Sequence, residues 1–390
     1  MVLARYAGIR PAAVLGCATT GDVVDAVAEA RRAGLPVVVR GGGHCFAGRS
    51  STTGTVIDVS PLTGVRVDGD RVTVAAGTRL AELYDRLAAH GRTVPAGCGA
   101  TVGIAGLTLG GGLGILGRSH GLTCDSLVSA TVVLSDGTVT EAGDDLLWAL
   151  RGGGAPGVVT ALTFRTVPAP DSTAFRLTFP ADAAADVLDA WQHALPELEE
   201  AFAPSLVITS QPSVTVFGAV PGLAAVDHLI DRIGVRPSSD GRQHGTHHAT
   251  KQWLAGDGDP GYAFLHSEFF REPVPAAALV ERLLADRPGE ERELDFNPWG
   301  GAYGRVAPDA TAFPHRDARF LLKQTATVTA GERPGPWLDE SYAITHPYGT
   351  GGAYPNFPEP GLPLEAYHLG NTERLRRIRA AYDPARMFTA

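Results

Sequence analysis

The chain has 390 residues, of which 44% are hydrophobic and 19% charged, and a formal net charge of -9. Such a length calls for two or three domains. The acidic balance excludes nucleic acid as the main partner, because phosphate recognition needs a concentrated basic surface.

No apolar stretch reaches the roughly eighteen residues that span a membrane, and the start MVLARYAGIRPAAVLG lacks the apolar core and cleavage site of a secretory signal. Cys17, Cys45, Cys98 and Cys124 suggest neither a disulfide framework nor CxxC metal spacing. A cytoplasmic protein without a metal site is expected.

In chain order, Asp22 to Ala33 reads as a helix with Val23, Val27 and Ala30 on one face and Gly34 as its stop. Pro36 to Val39 reads as a buried strand running into Arg40-Gly41-Gly42-Gly43-His44, so these glycines lie at a strand's carboxyl end, where open α/β sheets place ligands. Thr55 to Val59 is a further short strand. Val65, Val67, Val72 and Val74 alternate around Asp68-Gly69, which predicts a hairpin. Thr78 to His90 predicts a helix with Thr78 as N-cap and Leu80, Leu83, Tyr84 and Leu87 as its stripe. Strands return at Ala130 to Leu134 and Thr138 to Thr140 around a second Asp-Gly pair. After Val167-Pro168-Ala169-Pro170 the composition changes: four of the five tryptophans fall between Ser172 and Tyr348, with strand candidates such as Ala263 to Phe270. This predicts a second, α+β domain with an antiparallel sheet. Leu375, Ile378 and Tyr382 mark a last helix.

Gly-Gly-Gly occurs at Gly41, Gly110 and Gly152, all in the first part of the chain. About 0.7 such triplets are expected at this glycine content, so the excess alone is modest and tight turns account for any single one equally well. Their places at strand or turn boundaries favour a second reading. Backbone without Cβ can approach a pyrophosphate and form an anion-binding nest. The chain has no GxxxxGK[ST] motif, and Gly110 to Gly114 does not open a helix after a first strand as a dinucleotide fingerprint requires. The residues alone therefore reach a phosphorylated cofactor and no further.

Ordered motifs then carry a resemblance. Arg40-Gly41-Gly42-Gly43-His44 with Gly48-Arg49-Ser50 resembles the flavin-attachment segment of the berberine-bridge-enzyme-like FAD oxidases, of bacterial type, within the vanillyl-alcohol-oxidase (PCMH-type FAD-binding) group. Pro95-Ala96-Gly97 is similar too, with Val102-Gly103-Ile104-Ala105-Gly106 through Gly110-Gly111-Gly112-Leu113-Gly114, and Gly121 to Asp125. Asp145 to Gly154 with Gly157-Val158-Val159 resembles the segment near the adenine end, and Tyr354-Pro355-Asn356-Phe357 with Arg374 to Pro384 resembles the tail. The likeness is strong over the first 165 residues and the last forty, and patchy between them.

The resemblance implies an α+β fold: a two-subdomain PCMH-type FAD-binding domain plus a substrate domain whose antiparallel sheet is covered by helices. It divides the chain into 1–167, the N-terminal part of the FAD-binding domain; 168–350, the substrate domain; and 351–390, a segment returning to the first. It implies FAD joined to His44 at the flavin C8α carbon. The remaining cofactor-binding positions it marks are Gly97, Cys98, Thr101, Val102, Asp125 and Asn356, beside the glycines and the Gly157-Val158-Val159 run.

Members with two links carry a cysteine at the position of Gly99. Here Cys98 is one residue early, on the opposite face of an extended segment, so no thioether is expected. Val102 stands where the family governs dioxygen access, which suggests an oxidase making hydrogen peroxide. A small organic substrate, such as an alcohol, sugar or secondary metabolite, would give hydride to flavin N5 while a protein base takes a proton. Tyr354 is the first choice for that base, because Phe357, three residues on, is not a phenol; its pKa near 10 would have to be lowered. Glu268, Tyr303, His266 and Gln324 are further candidates, and His266 and Glu268 share a strand face. Two alternatives keep the flavin: a redox-neutral cyclisation or isomerisation, and a non-catalytic flavin-binding protein.

Overall fold

The Thr19 hydroxyl accepts from the Asp22 amide at 3.1 Å, and the Asp22 carboxylate accepts from the Thr19 amide at 2.9 Å. This reciprocal cap starts the first helix at Thr20, and Gly34, at φ 63°, ends it after Ala33. The computed structural model describes residues 2–256, 261–285 and 289–388.

The first helix lies over a three-stranded parallel sheet, in which Thr55–Asp58 runs between Ala13–Gly16 and Val37–Arg40. Expected to be buried, Val37–Arg40 is an edge strand with only Val37 buried. Both Asp-Gly pairs make hairpins, joining Val65–Asp68 to Arg71–Ala75 and Leu127–Val133 to Val139–Glu141. With Val158–Arg165 between the hairpins, they form a five-stranded antiparallel sheet. The second helix spans Leu80–Ala88 and opens at Arg79 rather than Thr78. The Thr78 hydroxyl bonds instead to Gly64, accepting from its amide at 3.1 Å, so it is not available as a cap.

Beyond Pro168 a seven-stranded antiparallel sheet runs in the order Ser239–Gly245, Ser172–Phe179, Ser213–Val220, Ala203–Thr209, Glu290–Pro298, Phe320–Val328, Tyr262–Phe270. Helices Ala184–Ala194, Leu223–Ile233, Ala276–Leu284 and Trp337–Thr345 cover one face and bury Phe175, Leu177, Trp191, Leu206, Phe296 and Leu322. Each such large side chain contributes on the order of 1.5–3 kcal/mol by leaving water. The opposite face carries Phe269 and Leu321 into a second cluster with Phe313, with Leu122 and Cys124 from the first third of the chain and with Tyr354 from its tail. The last helix, Thr372–Tyr382, packs Leu375 and Ile378 against Trp148 and Ala149. Among the described residues, no helix is long and apolar enough to cross a membrane.

A buried ion pair pins the two halves together. Arg316 donates to both Asp125 oxygens at 2.8 Å, and the two side chains are 2% and 9% exposed. The same guanidinium reaches Thr311 Oγ1 at 2.8 Å. Replacing one partner leaves an uncompensated charge, which costs more than the pair contributes. Arg316→Ala is therefore expected to lower stability by about 3–5 kcal/mol. Urea denaturation followed by tryptophan fluorescence checks this, and an unchanged midpoint would show the pair to be dispensable.

Candidate active site

The strand Val37–Arg40 delivers the loop Gly41 to His44 to a second loop, Gly97 to Gly103. The two backbones touch. A Cβ on Gly42 would lie 2.5 Å from the Gly103 nitrogen, and one on Gly103 would lie 2.7 Å from the Gly42 nitrogen. Arg79 stitches the loops, donating from one guanidinium nitrogen to the Gly42 and Thr101 carbonyls, each at 2.8 Å. Across the seam, Thr101 Oγ1 lies 3.1 Å from His44 Nε2, which orients the imidazole.

The amides of Gly41, Gly42, Gly43, Gly99 and Gly103 meet no acceptor among the described residues. Gly42, Gly43 and Gly103 are buried. Clustered, inward-facing N–H groups of this kind suit a pyrophosphate. With an oriented histidine beside them, the residues present fit a flavin dinucleotide.

Helix Ile104–Leu109 leads into the next glycine run. A Cβ on Gly110 would fall 2.2 Å from Asn356 Oδ1, so the tail segment can seat against it only because the position is glycine. Asn356 Nδ2 donates to the Leu107 carbonyl at 2.9 Å and to the Tyr354 oxygen at 3.2 Å. That phenol oxygen also accepts from the Gly112 and Leu113 amides, at 3.0 and 3.1 Å. Three donors therefore converge on one oxygen. Burial nevertheless outweighs them and pushes the Tyr354 pKa up to about 12.

An occupied, desolvated phenol is unsuited to take a substrate proton. Tyr354 thus fastens the Gly110–Leu113 loop to the tail instead of serving as the base. Phe357 stands nearer the first loop, edge-on to Tyr354 at 5.0 Å and to Phe46 at 5.8 Å.

The other proton-transfer candidates lie elsewhere. Glu268 and His266 do share a face of their strand, but it is the face covered by helix Trp337–Thr345. Glu268 accepts from the Gly351 amide at 2.7 Å and sits 3.1 Å from His346 Nδ1. His266 bonds Glu359 at 2.5 Å and stacks on Tyr342. Gln324 reaches Thr345 on the same helix. Ser267, between His266 and Glu268, faces the other way, and its Oγ accepts from the Tyr354 amide at 3.2 Å. Tyr303 stacks on Trp299 at 4.1 Å, and burial raises its pKa well above the phenol range. Glu268 and Tyr303 are therefore structural groups in this arrangement.

The remaining marked positions scatter in role. Arg40 pairs with Asp58 at 2.9 Å, and Asp125 is spent on Arg316 and the Leu122 amide. Arg49 is exposed above Tyr367, while Gly48 and Ser50 are buried close by. The Gly97 carbonyl accepts from Tyr84 at 2.5 Å. Cys98 packs against the cluster of Ala174, Ala219 and Leu254. Val102 is partly buried beside Gly99. Gly106 is exposed on its helix, Gly111 meets Phe313, and Gly114 lies against the Ala96 carbonyl. Gly157 abuts Val133, and Val158 and Val159 pair with Val133 and Val132, so both are held in the ladder.

Sequence reasoning passed over Arg79, Lys251, Lys323 and Asp295. A signal for two of them was present: Lys251 and Lys323 are the only lysines among the chain's 33 basic residues. Lys251 Nζ donates to the Ala96 and Gly97 carbonyls, which props the second loop from the substrate side.

The family model described as FAD binding domain matches residues 11–143, and the one described as Berberine and berberine like matches 353–390. The uncharacterized FAD-linked oxidoreductase YgaK of Bacillus subtilis is 31% identical over 99% of this chain and 90% of its own length. The chain belongs to the berberine-bridge-enzyme-like FAD-linked oxidoreductases.

Two solved structures agree with this placement. Xylooligosaccharide oxidase from Myceliophthora thermophila, determined with xylobiose, has a TM-score of 0.85 at 26% identity and covers 97% of this chain and 90% of that one. Glucooligosaccharide oxidase from Acremonium strictum, described with 6-S-cysteinyl, 8α-N1-histidyl FAD, has a TM-score of 0.86 at 24% identity, with the same two coverages, and so bears on the fold. FAD is accordingly the cofactor of this berberine-bridge-like oxidoreductase.

If Tyr354 fastens the loop, Tyr354→Phe leaves the Gly112 and Leu113 amides unpaired and should cost about 1–3 kcal/mol. Flavin reduction by substrate should survive in whatever fraction stays folded. Thermal denaturation beside anaerobic bleaching separates the two effects, and full stability with abolished bleaching would restore the phenol as base.

Proposed function

We propose that the protein is an FAD oxidase with its flavin covalently held at His44, oxidising a small organic alcohol or sugar and passing the electrons to dioxygen. The observation that carries this reading is the seam between the two glycine loops, where Thr101 orients His44 beside a cluster of unpaired amides. An imidazole nitrogen is suited to the covalent bond because it is nucleophilic while neutral at physiological pH.

Residues 1–167 and 351–390 would hold the cofactor: the amides of Gly41 to Gly43, Gly99 and Gly103 meet the pyrophosphate, and the Gly110 to Gly114 run lies alongside. Residues 168–350 would form the substrate pocket with the uncovered face of their sheet. Bound FAD supplies the hydride acceptor and returns the electrons to dioxygen as hydrogen peroxide. Val102, small and partly buried at the loop end, leaves room for dioxygen to approach. Cys98, packed against Ala174, Ala219 and Leu254 of the substrate domain, would form no second link. The four cysteines form no disulfide among the described residues, in keeping with work in the cytoplasm.

The test is intact mass and in-gel flavin fluorescence of acid-denatured protein, wild type beside His44→Ala. Wild type should keep the mass of FAD and the variant should lose it. Release of flavin from denatured wild type would overturn the covalent link at His44.

A further inference from the structure

The face of the seven-stranded sheet turned away from its four helices carries charge on its fifth and sixth strands, Glu290–Pro298 and Phe320–Val328. Strand alternation turns Leu321, Lys323 and Thr325 away from the helices, and the register sets Lys323 beside Ser267 on one neighbour and Asp295 on the other. Lys323 Nζ lies 3.0 Å from Asp295 and 3.2 Å from Glu293. Asn297 Nδ2 donates to the other Asp295 oxygen at 2.9 Å. The ammonium also sits 5.4 Å from the centre of the Phe357 ring, and that ring touches Phe46, two residues beyond His44. The cluster is therefore linked through Phe357 and Phe46 to the loop that carries His44.

Two carboxylates against one ammonium leave an excess negative charge there. Lys323 and Asp295 side chains are 15% and 17% exposed, whereas Glu293 is 37% exposed toward the outer end of the strand. Each Asp295 oxygen receives one donor and a carboxylate oxygen has two lone pairs, so Asp295 can still accept a proton. Tyr354 is occupied, and His266 and Glu268 belong to the opposite face.

We propose that Asp295 is the base that takes the substrate's hydroxyl proton, with Lys323 and Asn297 as positioning residues. This rests on the oxidase reading above. In the step, the substrate O–H bond breaks and its proton goes to Asp295. The adjacent C–H bond breaks and its hydride, with both electrons, goes to FAD. The carbon–oxygen double bond forms, and Asp295 later returns the proton to solvent. Lys323 and Asn297 hold the carboxylate in place, each at one oxygen, and the Phe357 ring lies 5.4 Å from the ammonium.

The experiment uses the flavin-loaded protein without oxygen, with xylobiose, glucose and benzyl alcohol as probes. At least one probe should bleach the wild-type flavin. Asp295→Asn should slow that bleaching by at least about 100-fold, the range of a lost general base, with flavin content and unfolding midpoint unchanged. Asp295→Glu should recover most of the rate. Infrared difference spectra on reduction should show a protonated carboxyl band in wild type that Asp295→Asn lacks. For Lys323, the arginine variant should retain the band and the methionine variant should weaken it.

Bleaching of Asp295→Asn at the wild-type rate would place the base elsewhere while leaving the oxidase intact. Loss of flavin and a lowered midpoint in both Asp295 variants would make the residue structural and overturn the proposal. If no probe bleaches wild type, the oxidase reading fails and this one with it.

Discussion

Two peptide backbones meet at Gly42 and Gly103 with no side chain between them, and the rest of the site depends on that contact. The meeting is close enough that a single methyl group at either position would collide with a nitrogen. Such contact usually leaves polar groups stranded. Here the carbonyls are collected by Arg79 while the amides stay available. One guanidinium thereby makes both walls of the seam into a donor surface. His44 and Thr101 then meet because their loops are already in register.

The second constraint is how the substrate domain reaches this seam. It does so through buried polar groups rather than apolar packing alone. Arg316 crosses to Asp125, Arg118 donates to the Phe202 and Leu198 carbonyls, and Lys251 props the carbonyls of the second loop. Each of these cations is expensive to bury, and each bonds an oxygen supplied by the other half of the chain. Buried apolar contacts tolerate sliding, whereas directional bonds do not. The arrangement fixes the sheet of the substrate domain against the two glycine loops.

Much of the local structure was legible because its causes are local. The Gly34 stop of Thr20–Ala33, both Asp-Gly hairpins and the stripe of Leu80–Ala88 depend on residues within a few positions of each other. The family, and with it the FAD cofactor, was legible through a run of motifs. What failed was long in range. Tyr354 meets Gly112 across 242 positions of sequence, and nothing near it in the chain shows that its oxygen is already engaged. The period of two correctly put His266 and Glu268 on one face, but helix Trp337–Thr345 decides which face is covered. Thr78 misled for a related reason, since Gly64 claims its hydroxyl before the helix can.

Lysine usage ties these observations together. In a chain that fills nearly every basic position with arginine, its two lysines supply a compact point charge. Lys251 must fit under two carbonyls beside the Tyr84 ring, and Lys323 must stand between two carboxylates beneath Phe357. A guanidinium spreads its charge over three nitrogens and bonds in pairs, whereas an ammonium concentrates it at a point. At Lys323 that point lies on the strand next to Asp295, on the face that meets the tail segment. The charge pattern of the sheet and the loop that carries His44 are thus joined through Phe357 and Phe46, although the residues come from three separate stretches of sequence.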